Sequence, residues 1–381
     1  MLHIISRADS SVDILCQFCY SKLSDRSVET CEAHRRGRTC GSLPLLFMTI
    51  ESSRSALSIV LPDTGDFNMP VSQNFLTFTQ QVNFLKNDKH IQIPNQQYAE
   101  EMIQHIGYYS LIGGYKHLFR IPFSKKYKPG TTFGEIVSLY QFDAGLRELF
   151  LKYLLRIERH VGNLIAYYFC ELHGISQAQY LNPGNYNNHP RNRKTVQGLI
   201  KKLYGAVNTT EYDYINYYRT QYGNIPLWVT VNVLSFGSLS KMYNVLPQSL
   251  RSKICKHFSS VNQKQLERYL SILTKYRNTC AHSDRLFTYK TVDQISDTVL
   301  HSKLAIPKNG NQYIYGKQDL FAVMIAFRYL LPKQDFTAFK SRIVREIDRV
   351  NQKLIHISEK ELLEQMGFPH NWKDITRYRQ I

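Results

Sequence analysis

The longest periodic segment of the chain, residues 133–173, is FGEIVSLYQFDAGLRELFLKYLLRIERHVGNLIAYYFCELH. Its apolar residues recur every three to four positions, which is the spacing of one buried face of an α-helix. Asp143 is a residue type that can cap a helix. We therefore predict helical structure throughout the segment, divided into two helices near Asp143.

The same periodicity extends in both directions, from Phe75 towards the C-terminus. Gly107 is suited to end one helix, Pro226 to open another at Leu227, and Ser238 to cap a third. The predicted helices span residues 75–86, 96–106, 193–204, 239–246, 248–258, 262–282, 317–331 and 334–356. Because the helical pattern continues from Phe75 to the end of the chain, we predict an all-α fold.

Residues 1–68 differ from the rest of the chain: they have little helical periodicity and contain four of the seven cysteines. Cys16, Cys19, Cys31 and His34 have a spacing from which a zinc site can be drawn. The alternative is a poorly ordered extension or a start assigned upstream of the natural one, with Met69 opening the protein. We predict a helical domain over 69–356, followed by a C-terminal helix or tail over 357–381.

The chain is strongly basic, with 48 Lys and Arg against 30 Asp and Glu, a net charge of +18 and a pI near 9.5. Such an excess favours a polyanionic partner, and nucleic acid is the first candidate. The alternative is a set of solvated helix faces. The candidate RNA-binding residues are Lys125, Lys126, Arg193, Lys194, Lys201 and Lys202.

A cytoplasmic location with no membrane contact is expected. No stretch approaches the roughly 18 apolar residues of a membrane-spanning helix, and the N-terminus lacks the apolar core of a signal peptide. The odd number of cysteines favours reduced thiols over a disulfide framework.

Five tyrosines lie close together between residues 212 and 222. Exposed tyrosines can stack on the bases of single-stranded RNA. The alternative is that they pack in the core. They are Tyr212, Tyr214, Tyr217, Tyr218 and Tyr222.

Residues 277–287, RNTCAHSDRLF, have the residue types that cleavage of RNA by its own 2′-hydroxyl requires. His282 can move a proton near neutral pH, Arg277 can stabilise negative charge on the phosphate, and Asn278 can orient either partner. On one straight helix Arg277 and His282 would point about 140° apart. A break in the helix, the length of the arginine side chain, or a second copy of the motif would bring them together.

This segment resembles the signature of the Abi family of abortive-infection proteins, within the HEPN superfamily, whose ribonuclease motif is Arg-polar-x3-5-His. Further blocks resemble the family in order and spacing. They are YYSLIGGY at 108–115, Phe142-Asp143-x2-Leu146-Arg147 with Ile157-Glu158, and IPLW at 225–228 with LSFGSLS at 234–240. The resemblance covers about residues 75–330.

The resemblance implies an all-helical, HEPN-like bundle with additional N- and C-terminal helices. It also implies a homodimer that joins two Arg-x4-His motifs, RNA cleavage without metal or cofactor, and a role in phage defence or toxin-antitoxin control. Carried over to this sequence, it assigns catalysis to Arg277, Asn278 and His282, with Glu158 and Asp143 as supporting residues. The alternative is a non-catalytic protein that holds a regulatory small RNA.

Overall fold

The computed structural model describes residues 75–378, which belong to a unit that begins at Asn74. Within this range the predicted all-α fold is confirmed. The regular β-structure of the described part is one short antiparallel pair, β1 (Lys308–Asn309) and β2 (Gln312–Tyr313). The predicted start of the domain at Met69 and the candidate zinc ligands, Cys16, Cys19, Cys31 and His34, lie outside the described residues.

The helical structure of the described range consists of α-helices joined by short turns. In chain order, the α-helices are α1 (Phe78–Asn87), α2 (Gln96–Ile106), α3 (Phe133–His173), α4 (Gln177–Leu181), α5 (Arg193–Asn208), α6 (Asp213–Tyr222), α7 (Leu227–Thr230), α8 (Phe236–Val245), α9 (Gln248–Cys255), α10 (Gln263–Ala281), α11 (Val299–Lys303), α12 (Leu320–Leu330), α13 (Lys333–Asn351) and α14 (Glu359–Met366). A π-helical turn at Tyr109–Gly113 and short 3-10 turns, among them Lys116–Phe119 and Trp372–Thr376, complete the helical structure.

The helix α3 is continuous over 41 residues, a length of about 60 Å. Its N-terminus has a capping box, in which the Thr132 side chain accepts from the Glu135 N–H and the Glu135 side chain accepts from the Thr132 N–H. The predicted break at Asp143 is wrong. Asp143 points into the core and is bound by tertiary donors instead of capping the backbone of its own helix.

The helices α10 and α13 pack extensively against α3, and α7, α8 and α9 also pack against it. The helix α12 is apolar on every face, and all of its residues except Arg328 are buried. A helix that is apolar all round belongs in a core. The side chains of Trp372 and Ile375 near the C-terminus are also fully buried.

Most predicted helices are present, with ends that differ by a few residues. Ser235, not Ser238, caps α8, since its Oγ accepts from the Ser238 N–H at 3.3 Å. Two predicted helices are shorter than expected, because α9 ends at Cys255 and α13 at Asn351. Over residues 75–378, no helix is both long and apolar enough to cross a membrane.

Candidate functional site

The C-terminal end of α10 is held in the core by its buried residues. Tyr276 is fully buried, and its hydroxyl donates to the carbonyls of Tyr289 at 2.7 Å and Gln318 at 3.1 Å. Thr279 and Cys280 are buried as well. Because these residues fix the rotation of the helix, Asn278 is exposed to solvent.

Arg277 forms an ion pair with Glu158 of α3. The Arg277 Nε donates to the Glu158 Oε2 at 3.3 Å, and the two side chains are 16% and 12% exposed. Within the described residues, the Nη atoms of Arg277 have no hydrogen-bond partner, so the terminal part of the guanidinium is available to another group. Glu158 therefore positions the arginine through Nε alone.

His282 stands where α10 ends. Its backbone N–H donates to the Asn278 carbonyl at 2.9 Å, and its side chain is exposed. The next residue, Ser283, has a left-handed backbone with φ of 58°, which turns the chain away from the helix axis. Because the helix stops at His282, the offset of about 140° expected on a straight helix does not fix the direction of the imidazole. In the part of the chain that the structure describes, no hydrogen bond or ion pair joins Arg277 to His282.

The loop after His282 is fastened to α3 by Asp143. The fully buried carboxylate accepts from the backbone N–H groups of Leu286 at 3.1 Å and Phe287 at 2.7 Å. It also accepts from the Tyr115 hydroxyl at 2.7 Å and from Arg147 at 2.6 Å. Burial raises the pKa of Asp143, whereas Arg147 and the neutral donors act in the opposite direction and stabilise the carboxylate.

Three separate segments meet at Asp143: residues 108–115, 142–147 and 285–287. The Phe287 ring stacks on Tyr115 with centroids 5.8 Å apart, and Arg285 Nη1 donates to the Gly114 carbonyl. Asp143 is too buried to touch a bound RNA, and its contacts are those of a residue that positions the loop. The sequence did not assign the ion pair between Asp143 and Arg147, although their spacing of four residues on a helix is a signal for one.

Cys280 lies inside the motif but is not suited to act as a nucleophile. Burial raises the pKa of its thiol to about 12. A buried thiol that stays protonated at neutral pH has little nucleophilic character.

The candidate RNA-binding residues belong to two segments. Lys125 and Lys126 are exposed in a loop between Arg120 and Tyr127, which form an antiparallel bridge. The other four are exposed on α5, whose opposite face is buried through Val196, Leu199 and Leu203. They are Arg193, Lys194, Lys201 and Lys202.

The tyrosines between 212 and 222 divide between surface and core. Tyr214, Tyr217 and Tyr222 are exposed, whereas Tyr212 and Tyr218 pack partly against the core. Tyr204 of α5 and Trp228 of α7 are also exposed, and both α5 and α6 pack against α7. Over residues 75–378, no group of three or more His, Cys, Asp or Glu side chains is placed to hold a metal ion.

These features define an all-helical protein in which an Arg-Asn-x3-His motif ends a helix at the surface and a buried aspartate fixes the loop that follows. The family model of Abi-like proteins matches residues 101–288, a range that contains the motif, Glu158, Asp143 and the basic helix α5. The chain belongs to the Abi-like family. No curated protein and no solved structure matches it.

Proposed function

We infer that the protein acts in abortive infection, a form of phage defence, because it belongs to the Abi-like family. We propose that the protein is an endoribonuclease of phage-defence or toxin-antitoxin type, with a HEPN-like bundle and an active site of Arg277, Asn278 and His282. The observation that supports this best is the ion pair with Glu158. It holds Arg277 near the end of α10, five residues before an exposed His282.

In the proposed reaction His282 takes the proton of a ribose 2′-hydroxyl, and the 2′-oxygen attacks the adjacent phosphorus. The bond from phosphorus to the 5′-oxygen breaks, and the 5′-oxygen receives a proton. The products are a 2′,3′-cyclic phosphate and a 5′-hydroxyl. The side chains supply the proton transfer and the charge stabilisation, so the step is proposed to proceed without metal or cofactor.

Arg277 has the geometry to stabilise the phosphate during this step. Its Nε is occupied by Glu158, which leaves the two Nη groups to donate to phosphate oxygens. Asn278 is exposed one residue away and can hydrogen-bond the same phosphate or the imidazole. The partly buried carboxylate restricts the arginine rotamer before RNA binds, which lowers the entropy cost of reaching the transition state.

The proposal includes a homodimer, in which two copies of the motif share one cleft. One His282 would then act as the base and the partner's His282 as the acid that protonates the leaving oxygen. In a single copy, the same imidazole would have to take the proton and return it. The exposed basic faces at Lys125, Lys126 and α5 would hold the RNA strand.

A second candidate function is RNA binding without cleavage, for example of a regulatory small RNA. The exposed tyrosines favour it, because base stacking and a basic helix bind RNA whether or not a reactive histidine is present. Binding weakened by salt is expected from both candidates. Cleavage distinguishes them.

The test is cleavage of cellular RNA by the full chain in excess EDTA, comparing wild type with His282→Ala. Loss of a general acid or base lowers the rate by about 100-fold or more. His105→Ala is the matched control, since His105 is an exposed histidine on α2, away from the motif in sequence, and this variant should cut like wild type. Circular dichroism checks that each variant is folded, and the product ends should be cyclic phosphate and 5′-hydroxyl.

If wild type and His282→Ala both bind RNA and neither cleaves it, RNA binding without catalysis becomes the better description. Cleavage that persists at the wild-type rate in His282→Ala would remove the histidine from the mechanism.

A further inference from the structure

A short hairpin follows the π-helical turn and the 3-10 turn after it. Its base is closed by an antiparallel bridge between Arg120 and Tyr127, and the Ile121 N–H donates to the Lys126 carbonyl at 3.0 Å. The Tyr127 side chain at the base is buried, whereas most of residues 121–126 are exposed. These six residues, the hairpin tip, therefore project from a base that is held in the core.

The turn within the hairpin tip places a phenylalanine in a strained backbone conformation. The Ser124 N–H donates to the Ile121 carbonyl at 3.0 Å, and Phe123 has a φ of 58°. Because Pro122 fixes a negative φ at the second position, this is a type II turn, whose third position requires a positive φ and favours glycine. Among the non-glycine residues of the described part that have a positive φ, Phe123 is the only large apolar one. Backbone strain of this kind is concentrated at functional sites.

The core does not compensate for this strain. Phe123 is fully exposed to solvent, so its ring leaves apolar surface in contact with water. Glycine would fit the same turn without strain and without exposing a ring. Both features are explained if the Phe123 ring packs on a binding partner.

The hairpin tip also carries positive charge. Lys125 and Lys126 are exposed two and three residues after Phe123. Residues 107–134 contain no Asp or Glu, so the sequence around the tip is uniformly basic. A flat ring flanked by cations matches a single-stranded nucleic acid, whose bases can stack on the ring while its phosphates meet the cations.

The hairpin begins in the segment that holds the loop after His282. Arg285 Nη1 donates to the Gly114 carbonyl, and the His117 ring stacks on Phe287 with centroids 6.4 Å apart. The bridge that closes the hairpin begins three residues after His117. Because the hairpin and the loop after His282 share this packed segment, the hairpin tip is tied to the proposed ribonuclease site.

An anionic membrane would also attract a ring flanked by lysines. Membrane binding by a surface segment increases with the apolar area that it inserts, and the neighbouring Ile121 is only 39% exposed. One ring is sufficient to stack on one base. The observations therefore favour RNA.

We propose that Phe123 stacks on an unpaired base of a bound RNA while Lys125 and Lys126 contact the adjacent phosphates. This inference rests on the proposed function and adds a preference to it. The hairpin tip selects RNA with an unpaired nucleotide, because a base within a duplex is already stacked on its neighbours. Phe123 is then a substrate-binding residue and takes no part in proton transfer.

The test is the affinity of the full chain for RNA, measured by fluorescence anisotropy with His282→Ala as the parent protein. Adding Phe123→Gly should weaken binding of a single-stranded RNA by about 5-fold or more, because the stacking is lost. The affinity for a double-stranded RNA of equal length should change by less than about 2-fold, because the phosphate contacts remain. Phe123→Trp keeps an aromatic ring and should bind the single strand like the parent.

Phe75→Gly is the matched control. Phe75 is an exposed phenylalanine outside the helices, and no Lys or Arg lies within five residues of it. This variant should bind both RNAs like the parent. Thermal denaturation distinguishes binding from folding: glycine relieves the strain at a positive φ, so Phe123→Gly should have a Tm no lower than that of the parent.

An unchanged affinity of Phe123→Gly for the single strand would overturn the proposal, as would equal losses for single and double strands or no binding of the single strand by the parent. If Phe123→Gly binds RNA like the parent but no longer binds vesicles that contain phosphatidylserine, the hairpin tip is a membrane contact instead. Absence of cleavage by the wild-type chain would reject the ribonuclease proposal without changing these affinities.

Discussion

Arg277 and Glu158 are 119 residues apart in the chain and are joined by one hydrogen bond. The sequence identified both residues by resemblance, but it did not pair them, because which side chains meet across two helices depends on how the helices pack. The structure shows the pairing: the carboxylate holds Nε and leaves the Nη groups available. This arrangement was therefore outside what local sequence patterns could predict.

The Arg277→Lys variant tests whether RNA cleavage depends on the planar guanidinium of Arg277 or only on its positive charge. Lysine keeps the positive charge but has one nitrogen in place of a planar fork, so it cannot pair with Glu158 and also present two donors to a phosphate in the same way. We expect the turnover rate for RNA cleavage to fall by about 10-fold or more with little change in KM, because the basic surface still binds the RNA.

Arg159→Lys is the control for this experiment, since Arg159 is exposed on α3 next to Glu158. Its cleavage rate should match wild type. An Arg277→Lys protein that cuts at the wild-type rate would show that the fork geometry does not matter for the reaction.

The helices were largely predictable, because their periodicity and caps are local properties of the sequence. The range of α2 is as predicted, and α3 begins and ends at the predicted residues. The break at Asp143 was wrong for a physical reason: a capping residue type acts as a cap only when its oxygens are not taken by other donors. In this fold Tyr115, Arg147 and two backbone N–H groups from distant segments take them.

The link between α3 and the loop after α10 predicts a large effect of Asp143→Asn on stability. The asparagine amide has only one oxygen, so in either orientation its NH2 group faces N–H or O–H donors and those hydrogen bonds are lost. The substitution also leaves Arg147 without a counter-charge in the core. We expect the free energy of unfolding, measured by urea denaturation, to fall by about 3 to 5 kcal/mol.

Asp284→Asn tests whether this loss is specific to the buried carboxylate. Asp284 lies in the same loop but is exposed, and its replacement should change stability by no more than about 0.5 kcal/mol. Similar stabilities for the two variants would show that Asp143 does not hold the loop.

The whole molecule has a net charge of +18, and this was evident from composition. Composition does not show which cations share a surface, since that depends on which face of each helix is buried. The structure exposes Arg193, Lys194, Lys201 and Lys202 on α5 while burying its apolar side.

If α5 is the main RNA-binding surface, Lys201→Gln combined with Lys202→Gln should change the salt dependence of binding and not only its strength. Each phosphate of a single-stranded RNA that a cation neutralises adds about 0.7 to the slope of log affinity against log salt concentration. The double variant should lower that slope by about this amount for each phosphate that it no longer neutralises, measured by fluorescence anisotropy with a single-stranded RNA. The His282→Ala background prevents cleavage during the titration.

Lys353→Gln with Lys360→Gln is the control: it removes the same charge from exposed positions near the C-terminus and should leave the slope close to that of the parent protein. Equal reductions in both double variants would mean that the RNA responds to the overall charge of the molecule and that α5 is not a distinct binding surface.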